Sequence, residues 1–416
     1  MKDLKIKISE LGFNKPTLIQ EKSNEAFISN KNAILLSPTG TGKTLAYLIP
    51  LIKKIDLNKG SQALIIVPTT ELALQIKTVL KELNPPYTSQ VITSNEDRLR
   101  SINKYKNNEP NLVVITPGRL EDFLKENLIN PTLIKYLIID EADMLFDLDF
   151  LSQIDNLVSK VTGNIYLYSA TLPDHLLSWA KKYFQVELID VRTEVELKIK
   201  HHLIFTSEDK ELRLFKLIDA IEPYLCFIFV SKNEDIEPLY LKMIEKGYSV
   251  NRLSSLIPIR QRKNIINDIK MLKYQYVISS DIGSRGLDFE GITDIINYDL
   301  PYKLEFYIHR SGRTGRMLKE GNVYLFFEDK LNRKIENIKK KGIKFTEYTI
   351  KGNELVLKER KQKTLTEEEL NAVRSVKKPK KVKPGYKKKY QEEVKKALKK
   401  ARHKKGMKKW FILVHM

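Results

Sequence analysis

Between Ala33 and Asp190, short apolar runs alternate with longer amphipathic stretches. The runs are AILL (33–36), ALIIV (63–67), NLVVIT (111–116), YLIID (136–140) and IYLYSA (165–170). Most of their residues are Ile, Val, Leu or Tyr, and none shows the strict alternation of a strand with one wet face. Parallel strands joined by helical crossovers are buried on both faces and read as continuous apolar runs. The pattern therefore predicts β-α-β units and a parallel sheet covered on both sides. A second set, CFIFVS (226–231), YQYVISS (274–280), DIINYD (294–299) and NVYLFF (322–327), predicts the same α/β architecture again.

The expected organisation is an N-terminal domain over residues 1–190, a linker over 191–206, a second domain over 207–357 and a tail over 358–416. A chain of 416 residues suits two domains that each bury a core. The linker is weakly marked, since Gln185 to Thr206 is rich in charged residues with Val and Leu and contains no Gly or Pro. No run of about 18 apolar residues occurs that would span a bilayer. The opening MKDLKIKISELGF is charged throughout and lacks the apolar centre of a signal peptide, so a cytoplasmic location is expected. The single cysteine, Cys226, lies in YLCFIFV and reads as a buried strand residue.

Charge changes the picture mainly in the tail. The net charge is +21, and residues 377–409 hold 17 Lys or Arg against Glu392 and Glu393, so this tract carries +15 and the rest of the chain +6. The tract includes Pro379, Pro384 and Gly385, and is expected to be partly disordered, with EEVKKALKKARHKK suited to a basic helix. The apolar ending WFILVHM reads as a frayed terminus.

Candidate chemistry begins after the first run. Ser37-Pro38-Thr39-Gly40-Thr41-Gly42-Lys43-Thr44 leads from AILL into the helical stretch LAYLIPLIKKI. A turn at that junction aims backbone N–H groups and a helix N-terminus at one point, which suits phosphate. Lys43 would reach the terminal phosphates, and the Thr44 hydroxyl would ligate Mg²⁺. Ser37 stands where the general phosphate-loop pattern has Gly, and a Gly-rich turn with a surface lysine is the plainer reading. The position of GKT at a strand-helix junction favours the nucleotide. Asp140 ends YLIID, where a carboxylate projects from a sheet edge and can hold a metal, and Glu141 is placed to orient or deprotonate water. An Asp-Glu pair alone is a common helix N-cap; beside a phosphate loop the catalytic reading wins.

With Asp140-Glu141-Ala142-Asp143 the sequence resembles the DEAD-box ATP-dependent RNA helicases, of bacterial type with a minimal N-terminus and a basic tail. Nine motifs stand in the family's order: GFNKPTLIQ (12–20), SPTGTGKT (37–44), PTTELA (68–73), TPGR (116–119), DEAD (140–143), SAT (169–171), FIFVS (227–231), SDIGSRGLD (280–288) and YIHRSGRTGR (307–316). The resemblance implies two tandem RecA-like domains with the ATP site in the cleft between them. It implies ATP and Mg²⁺ as cofactors, the metal held by Thr44 and Asp140 partly through water. Phe13, Lys15, Thr17 and Gln20 would surround the adenine, Ser37 to Thr44 the phosphates, and Gly286 and Asp288 would complete the ATP site, with Asp288 at the ribose. Arg313 and Arg316 would act as arginine fingers in cis, making Lys43, Asp140, Glu141, Arg313 and Arg316 the implied catalytic set. Ser169, Thr171 and His309 would tie Asp143 to domain closure.

On the same footing, Pro68, Thr69, Thr70, Thr116, Gly118, Arg119, Arg262, Ser280, Gly283 and Arg285 would meet RNA phosphates and sugars without reading bases. ATP, by touching both halves, would favour a closed arrangement that bends one strand and disrupts a few base pairs. The implied partner is single-stranded or short duplex RNA bound by a monomer, away from membranes. Ribosome assembly, mRNA decay in a degradosome-type complex and cold-stress unwinding are the open settings. A DNA translocase and a non-catalytic RNA clamp are the competing readings; the DEAD and SAT motifs and the adenine segment argue against the first, the intact acids and arginines against the second.

Departures from the family pattern cluster on the RNA side. Thr70 replaces the usual Arg, SNEDR (94–98) lacks the usual glycine pair, Ile259 replaces a Gln and Ser280 a Thr. On the ATP side, Asp3 stands where an aromatic is usual. The RNA grip is expected to be weakened, with the lysine tail compensating through phosphate contacts and through Tyr386 and Tyr390 stacked on bases. Deleting residues 377–416 should raise the RNA concentration for half-maximal ATPase activity. The difference should shrink as salt rises, because counterion release drives such contacts.

Overall fold

The computed structural model describes residues 2–10, 15–147, 150–195, 198–254, 256–281, 289, 291–315, 320–358 and 367–376, with scattered positions from 390 to 400. Met1–Lys358 forms one compact unit and Glu359–Met416 another. The first unit contains two sheets. Strands β1 (Ala33–Leu36), β2 (Ala63–Ile66), β3 (Ser89–Ile92), β4 (Leu112–Ile115), β5 (Tyr136–Asp140), β6 (Asn164–Ser169) and β7 (Glu187–Asp190) form the first, in the order β3-β4-β2-β5-β6-β1-β7. All of its pairings are parallel.

Strands β8 (Ile199–Phe205), β9 (Cys226–Phe229), β10 (Val250–Leu253), β11 (Tyr276–Ser279), β12 (Asp294–Asn297), β13 (Gly321–Phe326), β14 (Phe345–Lys351) and β15 (Glu354–Leu357) form the second, in the order β10-β11-β9-β12-β13-β8-β14-β15. Among the described residues, only the β14 and β15 pairing is antiparallel.

Each sheet is covered on both faces, which is why its inner strands are continuously apolar. In β1, Ala33 and Leu35 enter one core cluster while Ile34 and Leu36 enter the cluster on the opposite face. In β9, Cys226 and Ile228 split from Phe227 and Phe229 in the same way. Cys226 is fully buried, and burial pushes its thiol well above the ordinary range.

The additional strands are those whose sequences break the apolar run. β3 and β7 lie at the sheet edges, where one side needs no apolar partner, and β7 is largely exposed. The expected linker over 191–206 is corrected by β8, which occupies the interior of the second sheet between β13 and β14. His201 and His202 disguise this strand. The His202 ring stacks on Tyr324 at 4.8 Å and its Nε2 bonds Asn322 at 3.1 Å, while His201 Nδ1 bonds the Tyr307 hydroxyl at 2.8 Å. Burial lowers both imidazoles, His201 to about 4; the His202 ring is buried and the His201 ring half-buried, in a strand that their residue type does not advertise.

In the tail, Glu367–Arg374 is a helix, and the described positions between 390 and 400 are helical, in line with the basic helix expected there. Most of the basic tract and the apolar ending lie outside the described residues. No described helix is long and apolar enough to cross a membrane.

Candidate active site

Parallel strands deliver their C-terminal ends to one edge, and the first sheet uses this to gather three loops. β6 lies between β5 and β1, so the residues after Leu36, Asp140 and Ser169 emerge side by side. The phosphate loop after β1 is anchored by Ser37 N–H donating to the Ser169 carbonyl at 3.1 Å. Gly40 and Gly42 have φ of 79° and 90°, a region that side chains strain to enter, and Gly42 caps the helix Lys43–Lys54. Thr41 Oγ1 bonds Ser37 Oγ at 2.9 Å, so Ser37 works here as an internal brace for the loop.

The expected adenine segment packs against this loop. The Thr17 hydroxyl donates to the Thr41 carbonyl at 2.9 Å, and the Gln20 side chain donates to the Gly42 carbonyl at 3.3 Å while accepting from Thr17 N–H at 3.1 Å. Lys15 is exposed. Phe13, Gly283, Arg285, Gly286, Asp288 and Arg316 lie outside the described residues.

The acids sit directly opposite the lysine. Lys43 Nζ is 3.8 Å from Glu141 Oε1 and donates to the Ser37 carbonyl at 3.4 Å. Asp140 is almost fully buried; its Oδ1 accepts from Glu141 N–H and its Oδ2 from the Tyr47 hydroxyl, both at 2.9 Å. Burial, then the Glu141 charge, pushes Asp140 up to about 7, against the pull of Lys43 and Tyr47. Burial and Asp140 together hold the Tyr47 phenol well above its ordinary range, so it remains a donor. Glu141 occupies the left-handed backbone region with φ of 48°, and its Oε2 is buried without a hydrogen-bond partner.

The second half reaches across to these groups. His309, on the helix Leu304–Ser311, bonds Asp143 Oδ2 through Nε2 at 3.1 Å, and its Nδ1 lies 4.0 Å from Glu141 Oε2. Asp143 also accepts from the Thr171 N–H at 3.1 Å and from the Thr171 hydroxyl, while Ser169 Oγ accepts from Asp143 N–H at 3.4 Å. Burial opposes charge on both partners, but their mutual attraction prevails: Asp143 is held well below the usual carboxylate range and His309 is raised. Glu141, Asp143 and His309 form a compact cluster of potential metal ligands, yet the Asp143 carboxylate is already satisfied by Thr171 and His309.

Arg313 follows two residues beyond this helix; burial disfavours its charge and Glu141 favours it. Its neighbour Gly312 meets the phosphate loop so closely that an added Cβ would sit 1.4 Å from Thr39 Oγ1 and 2.7 Å from Thr39 Cβ. Gly312→Ala should therefore cost the closed arrangement about 1–3 kcal/mol. RNA affinity with a non-hydrolysable ATP analogue should fall accordingly, and unchanged affinity would show that the two loops do not meet.

The expected RNA residues also follow strand ends, Pro68 to Thr70 after β2, Thr116 to Arg119 after β4 and Ser280 after β11. Thr69 caps its helix by accepting from Leu72 N–H at 3.2 Å, Thr70 is buried, Gly118 is exposed and Thr116 Oγ1 is buried without a hydrogen-bond partner. Arg119 pairs with Asp122 at 3.0 Å and donates to the Thr93, Ser94 and Glu96 carbonyls, gripping the loop that lacks the glycine pair. Arg262 pairs with Glu71 at 3.1 Å, joining the two halves. Sequence reasoning did not single out Tyr47, Gly312, Glu71 or Arg310. Arg310 is buried against Asp281 and Asn297. Tyr47 reads as one more core aromatic, and no local signal distinguishes it.

Two parallel α/β sheets, a phosphate loop after the first strand, paired acids on a neighbouring strand and a histidine and arginine brought from the second half define a phosphate-loop ATPase with a split site. The chain belongs to the DEAD-box ATP-dependent RNA helicases. Residues 17–178 match the family described as DEAD/DEAH box helicase, and residues 209–318 match the helicase conserved C-terminal domain.

The DEAD-box ATP-dependent RNA helicase CshB of Bacillus subtilis is 35% identical over 97% of this chain and 96% of its own length. CshB of Listeria monocytogenes is 33% identical over 92% of each. Among solved structures, S. cerevisiae Dbp5 bound to RNA and ADP BeF3 has a TM-score of 0.74 at 26% identity, covering 84% of this chain and 94% of the chain in that structure. Mss116p bound to ssRNA and AMP-PNP also has a TM-score of 0.74 at 26% identity, covering 84% of this chain and 77% of that one.

Proposed function

We propose that the chain is an RNA-stimulated ATPase that binds single-stranded RNA and locally unwinds short duplexes or remodels ribonucleoprotein in the cytoplasm. The convergence of both halves on the acids carries this reading: Lys43 faces Glu141 at 3.8 Å from one side, and His309 bonds Asp143 at 3.1 Å from the other. ATP would touch both halves and so favour closure by its differential contacts.

Buried Asp140 beside half-buried Glu141, with Thr44 in the first turn of the neighbouring helix, fits a hard divalent cation that takes oxygen ligands. Mg²⁺ held by Thr44 and Asp140, partly through water, would neutralise charge on the phosphates. Lys43 would bind the terminal phosphates, Glu141 would take the proton of the attacking water, and Arg313 would face the transferred phosphoryl group. The bond between Asp143 and His309 makes this arrangement depend on closure.

For the nucleic acid, the hydroxyl- and arginine-bearing loops after β2, β4 and β11 and the RNA-bound relatives support RNA held without base selection. The discriminating measurement is ATPase stimulation by RNA and by DNA of matched sequence. RNA should stimulate and DNA should not, since contacts to the 2′-hydroxyl separate the two. Equal stimulation would favour a DNA translocase.

A further inference from the structure

We propose that Tyr47 is a positioning residue for Asp140, setting the affinity of the site for a divalent cation through its phenolic hydroxyl. The proposal rests on the reading of Asp140 as a cation ligand.

Tyr47 lies four residues beyond Lys43 on the helix Lys43–Lys54, so the two share the face turned to the site. Its ring is fully buried, and its hydroxyl meets Asp140 Oδ2 at 2.9 Å across a sequence separation of 93 residues. Glu141 N–H meets the other oxygen, Oδ1, at 2.9 Å. One donor on each oxygen fixes the carboxylate against rotation, while each oxygen retains a lone pair for a cation or its water. The ring is held in turn by an edge contact with Tyr168 at 5.2 Å, and the Tyr168 hydroxyl is engaged by Ser23 at 2.5 Å. Phenylalanine would fill the same space in this core and offer nothing to Asp140. A buried hydroxyl carries a desolvation cost unless it is bonded, so the oxygen is informative where the ring is not.

Outer partners that orient a metal ligand are typically worth about 10- to 100-fold in metal affinity. Tyr47→Phe removes only the hydroxyl, and with it the bonds to Asp140 and to the Thr44 side chain, the two residues that would hold the cation. Binding of a fluorescent ADP analogue is titrated with Mg²⁺, which reads the cation without relying on turnover. The Mg²⁺ concentration for half-maximal tight binding should rise about 10- to 100-fold. In EDTA, Tyr47→Phe and wild type should bind the analogue alike, showing an intact nucleotide pocket. Tyr168→Phe, which deletes the other hydroxyl of the ring pair, should keep the wild-type Mg²⁺ dependence. A wild-type response from Tyr47→Phe overturns the proposal, as does an equal loss in Tyr168→Phe, which would mark a general packing effect. A wild-type protein that binds the analogue independently of Mg²⁺ would instead remove the cation reading itself, and the proposal with it.

Discussion

Glu141→Gln is expected to lower the RNA-stimulated turnover number by about 10²- to 10⁴-fold, the contribution of a positioned general base. Nucleotide affinity should change little. Glutamine preserves the shape of the side chain and removes its basicity, and the surroundings of Glu141 explain why basicity is what matters. The residue holds a left-handed backbone with φ of 48°, a conformation that persists in a non-glycine residue only when its surroundings over-determine it. Here Asp140 Oδ1 accepts the Glu141 N–H, and Lys43 meets one carboxylate oxygen. The other oxygen is buried without a hydrogen-bond partner, available for a proton. Steady-state ATPase assays beside analogue binding decide the matter. Turnover at the wild-type rate would remove Glu141 from the role of general base.

Arg313→Ala is expected to lower turnover by about 10³- to 10⁵-fold, the range for a lost arginine finger. The side chain belongs to the second half yet is within electrostatic reach of Glu141, and Gly312 immediately before it is pressed against Thr39 of the phosphate loop. A cation delivered only on closure stabilises the charge that develops during transfer more than it stabilises bound ATP. The loss should therefore fall on kcat rather than on KM. Single-turnover hydrolysis at saturating ATP measures it. A raised KM with unchanged kcat would reassign Arg313 to ground-state binding.

The site was legible where chemistry and local pattern coincide. Lys43 follows a glycine turn at a strand-helix junction, Asp140 ends an apolar strand, and the motif order supplied the remaining assignments. Partnerships across the chain were not legible. Arg119 and Arg262, expected to face RNA, pair with Asp122 and Glu71, and the Gln20 amide is bonded by its own helix cap and the phosphate loop. Sequence identifies a donor type but not what that donor meets after folding. Strand β8 was hidden for a related reason: its histidines are polar by type and are accommodated in the sheet only through Tyr324, Asn322 and Tyr307.

The two-sheet α/β class, the phosphate loop, the acids and the charge of the tail can be read along the chain, because periodicity, glycine placement and net charge are local properties. Folding alone brings His309 onto Asp143, Gly312 against Thr39 and the Tyr47 hydroxyl to Asp140. Those contacts join residues 166, 273 and 93 positions apart, the first two between the halves of the chain and the third between a helix and a strand end, and no local pattern encodes a distance that only packing sets.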